Sequence, residues 1–432
     1  MENPRDVLVA FLHDPPDKAF EIKGHEARAL RYLETALGDA VSEAELKDVS
    51  DVLAATAERL PAPHWTQCTI SWKNGHRRVH HPLSAFAPPP VADTPWTEAE
   101  IDRTIAALVD GIDVERRFLL LWRRLPEQLA HEHGAWFARL PADTRVPDHT
   151  LWHHLDTTAA LKAARAGESE GAAFLSFSLG PVQSFIAAAR SVRDLWSGSM
   201  ILSWLTFHAM LPVVEQLGPT ALIYPSLRGL PWLDRWLIKD RNLKGKIDEP
   251  SVDLRMTPCL PNRFLALVPW GHEGQIAVDL AGRCREAVKR EWMKMAEAVK
   301  RELDQRLGGL PVDWSKRWPE QVENFFEYRT AVLPWRECAS DATLAWLISG
   351  SDDFDKAFPD AAAVRKLAGA IPREEQPRYG QSSAGGWQAK VELSARLMQA
   401  QRSIRHVPPA AEADSPGQEF PPKCSLLGTY EQ

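Results

Sequence analysis

Apolar and polar positions alternate most sharply over residues 173–179, where Leu175, Phe177 and Leu179 interleave with Ser176 and Ser178. A period of two is that of a β-strand with one face buried. Gly180-Pro181 ends the run, and Val182, Phe185, Ile186 and Ala189 then recur at helical spacing, with Pro181 suited to the first helical position, where no amide hydrogen is needed. Arg190 and Arg193 fall off that stripe. Residues 200–217 continue as helix, 221–224 read as a short buried strand closed by Pro225, and 263–268 read as a further strand. A long helix over 275–307 and an alternating strand over 325–333 complete a β-α-β-β-α-β order. That order is ferredoxin-like, an arrangement put to many uses and diagnostic of none.

Upstream the pattern is helical. Ala29, Leu30, Leu33 and Leu37 form one amphipathic face after His25, and Ile101, Ile105, Leu108, Val109, Ile112, Phe118, Leu119 and Leu121 run through 98–125. Arg116, Arg117, Arg123 and Arg124 read as a solvated face of that stretch. Residues 61–63 and 85–95 are proline-marked loops, and the polar GESEG segment from Gly167 reads as a linker. The chain therefore divides into a mainly helical unit (1–168), an α+β unit (171–338) and a helical tail (339–432).

Composition narrows the class. The 432 residues, 44% hydrophobic and 25% charged, suit two to three globular units with their own cores. Five scattered cysteines, never at metal-ligand spacing, suit a reducing cytoplasm. The acid- and proline-bearing start is unlike a signal peptide, no uninterrupted apolar run is long enough to span a bilayer, and neither export nor membrane insertion is expected. A net charge of −7 argues against a surface that binds nucleic acid everywhere, leaving local basic patches.

Candidate chemistry lies at two places. His13-Asp14 follows the apolar segment 6–12, and an imidazole beside a carboxylate suits a divalent metal; equally, Asp14 could cap the turn before Pro15-Pro16. Further histidines follow at His25, His80, His81, His149, His153 and His154, with Asp148 and Asp156 as oxygen donors nearby. On a helix His149 and His153 would share a face. The second place is the strand-to-helix junction at Gly180, where free amide groups and a Ser197-Gly198-Ser199 turn could meet a phosphate. An ordinary β–α unit with solvated arginines gives the same pattern. The basic loop KDRNLKGK (239–246) reads as a solvated excursion that could also meet phosphate.

FLHDPPDKAF, DTRVPDHTLWHHLDTTAAL, SLGPVQSFIAAARSVRDLWSGS, IYPSLRGLPWLD and LPNRFLALVP, in that order, closely resemble the large subunit of type III-B CRISPR effector complexes, the Cmr complex. The resemblance implies a permuted HD-type nuclease domain, a first Palm domain of polymerase/cyclase type, and a zinc-binding helical insert. It implies an RNA-guided antiviral complex with other Cmr subunits, guide RNA and target RNA as partners, and single-stranded DNA as substrate of the HD domain. By the same resemblance His13 and Asp14 would be catalytic metal ligands, joined by His25, His81, His149 and His154, for Mn, Ni or Mg. Gly180, Gln183, Arg190, Arg193, Ser197 and Gly198 occupy the Palm signature beside ATP, the precursor of cyclic oligoadenylate. The departures are specific. No Gly-Gly-Asp-Asp hairpin of a second Palm follows Val391, and Gly350-Ser351-Asp352-Asp353, which imitates one, precedes a helical pattern and reads as a capping or surface turn. Without that Palm the chain should not cyclise ATP alone. Leu427 stands where a cysteine would complete Cys-x-x-Cys after Cys424, which argues against zinc. A silent scaffold that binds nucleotide and neighbouring subunits, or an independent HD phosphohydrolase, fits the same residues.

Overall fold

In a computed structural model, the apolar periodicity of the first part of the chain is realised as helices α1 (Pro4–Phe11), α2 (His25–Leu37), α3 (Glu43–Leu46), α4 (Val49–Glu58), α5 (Glu98–Val109), α6 (Val114–His133) and α7 (Leu151–Ala164). The structure describes residues 1–58, 97–143, 149–167, 171–308, 317–335 and 386–404, with short pieces between 345 and 370. The apolar repeat over 98–125 is shared between two helices, because Gly111 turns at φ 72 and the Asp113 side chain accepts from the Arg116 amide to start α6 afresh. The arginines of α6 are not all solvated either. Arg117 Nη1 donates to the carbonyls of Ala36 and Leu37 at the end of α2. Arg123 is buried, as described below.

The alternating segment forms β1 (Ala172–Gly180), flanked in a four-stranded antiparallel sheet of order β2-β3-β1-β4 by β2 (Leu222–Tyr224), β3 (Arg263–Pro269) and β4 (Glu327–Pro334). Helices α8 (Gln183–Ala187) and α9 (Val192–Leu217) connect β1 to β2, α10 (Pro231–Asp240) and α11 (Val252–Arg255) connect β2 to β3, and α12 (Gln275–Arg306) connects β3 to β4. Each crossover skips one strand, so the two interleave and every neighbour is antiparallel. Leu175, Phe177 and Leu179 face α9 and α12 in an apolar core that extends without interruption to α1, α6 and α7. Helix α9 is long and apolar enough to cross a membrane by length and composition, but 61% of its most apolar window is buried inside the protein.

The serine face of β1 is not solvated as a half-buried strand would have it. Helix α13 (Arg317–Val322) precedes β4; after it come the short α14 (Phe354–Ala357) and α15 (Gly386–Ser403), and α15 lies along β1 on the serine side. Phe174 meets Trp387 edge-on at 5.1 Å, Ser176 shares a 2.6 Å hydrogen bond with Ser394, and Ser178 accepts from Arg402 at 2.7 Å. Buried hydroxyls are tolerated because each has its partner.

Two further expectations change around α8. The helix expected from Pro181 onward stops after five residues, and Ser191 caps α9 by accepting from the Asp194 amide. Ser197-Gly198-Ser199 is therefore no turn but part of α9. Glycine serves packing there, since a Cβ at 198 would lie 3.1 Å from Ile186 Cδ1 and 3.5 Å from a Phe185 ring carbon. Gly198→Leu is expected to destabilise the chain by roughly 1–3 kcal/mol through overpacking of α8 on α9, read from the urea midpoint, with Gly198→Ala much milder. In the acidic GSDD segment Asp353 caps α14 by accepting from the Lys356 amide, the capping role expected of it, and no strand forms there among the described residues.

Candidate metal centre

Three elements carry the centre. His13 and Asp14 follow the end of α1, Asp51 sits in the first turn of α4, and His154 lies in α7; α1 and α4 both pack on α7, so side chains up to 141 positions apart meet. One ligand atom each from His13, Asp51 and His154 fall within 4.8 Å of one another. His154 Nε2 is 3.2 Å and His13 Nε2 3.5 Å from Asp51 Oδ1, while Asp14 Oδ2 stands 3.7 Å from the first of these nitrogens and 3.6 Å from the second. Asp14 and His154 are buried at the floor of a cleft of ≈ 310 Å³ that Asp51 also lines, and His13, buried behind them, lines a neighbouring cavity of ≈ 300 Å³ that shares Asp51.

Local contacts aim these groups. His13 Nδ1 donates to the Ala10 carbonyl at 2.8 Å, which directs Nε2 into the cluster; that nitrogen is buried and has no hydrogen-bond partner among the described residues. A tautomer fixed from behind with its lone pair forward is the form in which histidine binds a metal. The donor set of two imidazoles and two carboxylates fits a divalent cation of the Mn, Ni or Mg class, although carboxylate-poor sites favour the softer members. Lys162 donates to Asp48 at 2.7 Å and thereby anchors the start of α4 on α7, holding Asp51 against His154. Arg28, buried, is 3.1 Å from Asp17 and donates to the carbonyls of Glu21 and Lys23, bracing the loop between His13 and α2. Burial raises the Asp17 carboxyl above its usual range against the pull of Arg28.

The charges are coupled. Burial disfavours an ionised Asp14, but Lys18, His13 and His154 outweigh it and hold the carboxyl at about 2. Asp51 is likewise disfavoured by burial and held well below the usual carboxylate range by the two histidines. A folded-state pKa below the unfolded value gives stability that is present above pH about 4 and lost as pH falls through about 2. For Asp14 the displacement from 3.8 to about 2 corresponds to roughly 2 kcal/mol. Asp14→Asn is thus expected to flatten the acid limb of a urea-midpoint curve between about pH 4 and pH 2, the window the depressed carboxyl sets.

The remaining expected ligands separate into those in the cleft and those elsewhere. His25 lies on the wall with Nε2 3.8 Å from Asp14 Oδ1 and its Nδ1 donating to the Ile22 carbonyl at 2.7 Å. His149 also lines the cleft, its ring 6.4 Å from that of His154. His153, the neighbour of His154, points to the protein surface, and Asp156 is bound to Arg228 at 2.6 Å. His80, His81, Asp148 and the Cys424 region lie outside the described residues. Asp51 is the candidate ligand that sequence reasoning missed. It stands in an ordinary amphipathic turn, and no spacing connects it to either histidine.

At the second place, Gln183, Arg190 and Arg193 are exposed, Ser197 is half-buried, Gly198 is buried, and Gly180 ends β1. The first turn of α9 carries its own acid, with Asp194 Oδ2 accepting from the Arg190 amide at 3.1 Å. Val192, Leu195 and Trp196 stand exposed beside these arginines, at 84%, 44% and 39% of their surface.

Comparison with known proteins agrees on one group. Residues 174–297 match the family described as CRISPR-associated protein Cmr2, N-terminal. The chain is 25% identical over 393 residues to the CRISPR system Cmr subunit Cmr2 of Pyrococcus furiosus, in an alignment covering 78% of this chain and 43% of that protein. It is 25% identical over 352 residues to the CRISPR system CMR subunit Cmr2 of Saccharolobus solfataricus, covering 68% and 33%. The chain therefore spans less than half the length of these curated relatives. Its fold is similar to a chain of type III-B Cmr-beta in the apo state, with a TM-score of 0.60 and 17% identity over 94% of this chain and 41% of that one. A chain of type III-B Cmr-beta bound to cognate target RNA gives 0.52 and 19%, over 84% and 39%.

Proposed function

We propose that this chain, which carries the amino-terminal region of the type III-B CRISPR subunit Cmr2, cleaves single-stranded DNA at a divalent-metal centre built from His13, Asp51 and His154 with Asp14 beside them. The observation that carries the reading is the convergence of those ligand atoms within 4.8 Å, with a buried His13 Nε2 among them that has no hydrogen-bond partner among the described residues. A cation held there would bring the pKa of a bound water towards neutrality and offset charge on a scissile phosphodiester. Lys47, exposed at the same cleft, supplies positive charge towards a strand's phosphates, Lys18 is bound to Asp14, and His25 and His149 on the walls are placed to hold or move a proton.

Residues 1–168 would then be the HD-type domain and 171–338 the first Palm, with 339–432 leading on from it. The exposed patch formed by Gln183, Arg190, Val192, Arg193 and Trp196 is the surface we assign to ATP and to a second Palm, and the other Cmr subunits, guide RNA and target RNA would act through the assembled complex. Support for the Palm comes from the interleaved antiparallel sheet and from the match over 174–297.

The test is incubation of the chain with end-labelled single-stranded DNA and Mn²⁺, beside calorimetric Mn²⁺ titration. Cleavage that EDTA stops and His13→Ala removes supports the reading. A wild-type chain that binds no Mn²⁺, Ni²⁺ or Mg²⁺ and leaves DNA intact overturns it in favour of the silent scaffold.

A further inference from the structure

The face of the sheet covered by α15 changes character along its length. Near Phe174 it is apolar, with Leu267, Leu333, Trp335 and Leu393 in one cluster. Four residues on, register sets Ser178 of β1 directly opposite Arg263 of β3 on one side and Arg329 of β4 on the other. Directly opposed residues of antiparallel strands project to the same face, so both arginines stand on the α15 side. Arg402, near the carboxyl end of α15, reaches down from above and donates to Ser178 Oγ at 2.7 Å. Neighbouring strands lie about 4.8 Å apart, so Arg263 and Arg329 start about 10 Å from each other with Arg402 centred between them.

Three arginines thus share one end of this face, where like charges repel, and the acid paired within the row is Glu327, bound to Arg329. The Arg263 side chain is exposed and makes no hydrogen bond or ion pair among the described residues. We infer that this row is a phosphate-binding site. The guanidinium fork matches phosphoryl oxygens two at a time, and Arg329, half-buried, and Arg402, fixed by Ser178, are held in place before any ligand arrives. The ligand is a phosphoryl group, carried either by a nucleoside triphosphate or by the backbone of a nucleic-acid strand. The inference uses neither the metal centre nor residues 180–198.

The experiment measures binding of ATP and of an oligothymidylate of about 20 nucleotides to the full chain in EDTA, at about 50 and 200 mM salt, where phosphate contacts weaken with ionic strength. Arg263→Ala/Arg329→Ala is expected to bind at least one of the two about tenfold more weakly than wild type, while Arg285→Ala/Arg290→Ala, which removes two exposed arginines of α12, does not reproduce that loss. If a strand is the source, the slope of log K against log salt falls by about 0.7 per arginine removed. If a nucleotide is the source, ATP binding weakens and the oligonucleotide is unaffected. Arg263→Glu alone removes an exposed side chain with no partner among the described residues, so it repeats the test should the double variant fold poorly. Unchanged affinity for both ligands in these variants, or no binding of either by wild type, overturns the inference.

Discussion

His154→Ala is expected to abolish metal-dependent DNA cleavage, lowering the initial rate by about 100-fold or more, and Asp51→Asn is expected to match it. Each removes one of three ligand atoms that lie within 4.8 Å, and the donors left, Asp14 among them, hold a divalent cation far more weakly against water. The variant at 51 is the sharper of the two, because Asp51 lies on a different helix from every histidine and contributes only through the way α4 packs on α7. Lys162→Ala, which frees the start of α4, should produce a smaller loss of roughly 10-fold, of the size outer contacts of metal ligands give. His153→Ala provides the contrast. Its side chain is exposed and faces away from the cluster, so cleavage and Mn²⁺ affinity should stay at wild-type values. Initial rates together with calorimetric Mn²⁺ titration separate loss of metal from loss of chemistry; an Asp51→Asn chain that cleaves normally removes Asp51 from the centre.

Arg123→Met is expected to cost roughly 3–5 kcal/mol of folding stability, the largest loss for any charged residue described above. Arg123 in α6 and Asp234 in α10 are both buried and joined by two hydrogen bonds of 2.6 and 2.8 Å across 111 positions. Removing the guanidinium leaves a carboxylate in the core with no counter-charge, whereas Glu127, the other partner of Arg123 at 3.0 Å, can turn to water. Arg123→Met/Asp234→Leu removes both charges and should recover most of the loss, since a buried pair and an apolar pair of similar volume are close in free energy. Urea midpoints for the two single variants and the double variant give the coupling directly. Because the pair joins the early helical unit to the connection between β2 and β3, the single variant should also loosen the two units together.

The sheet was legible in advance because its strands announce themselves locally. Alternation at 173–179, the apolar 263–268 and the period-two run before Leu333 each specify a strand with few neighbours consulted, and their order with the intervening helices leaves the interleaved arrangement as the natural closure. Errors arose where a long-range contact overrode the local pattern. Serines that read as a solvent face are covered by a helix more than 200 positions away. Arginines that read as solvated lie against Asp234 and against the end of α2. A small-residue triplet that read as a turn is helix, because Ser191 supplies a cap and Gly198 lets α8 approach.

Periodicity, caps and turn residues are properties of adjacent positions, and from them the chain alone determined its elements, their order, the His13-Asp14 pair and the resemblance those motifs carry. Which carboxylate meets that pair, which charges enter the core and which arginines share a row were decided only by tertiary packing. A side chain's burial and its partners depend on the surface laid against it, and the patterns around Asp51, Asp234 and Ser178 hold no local mark of what that surface will be.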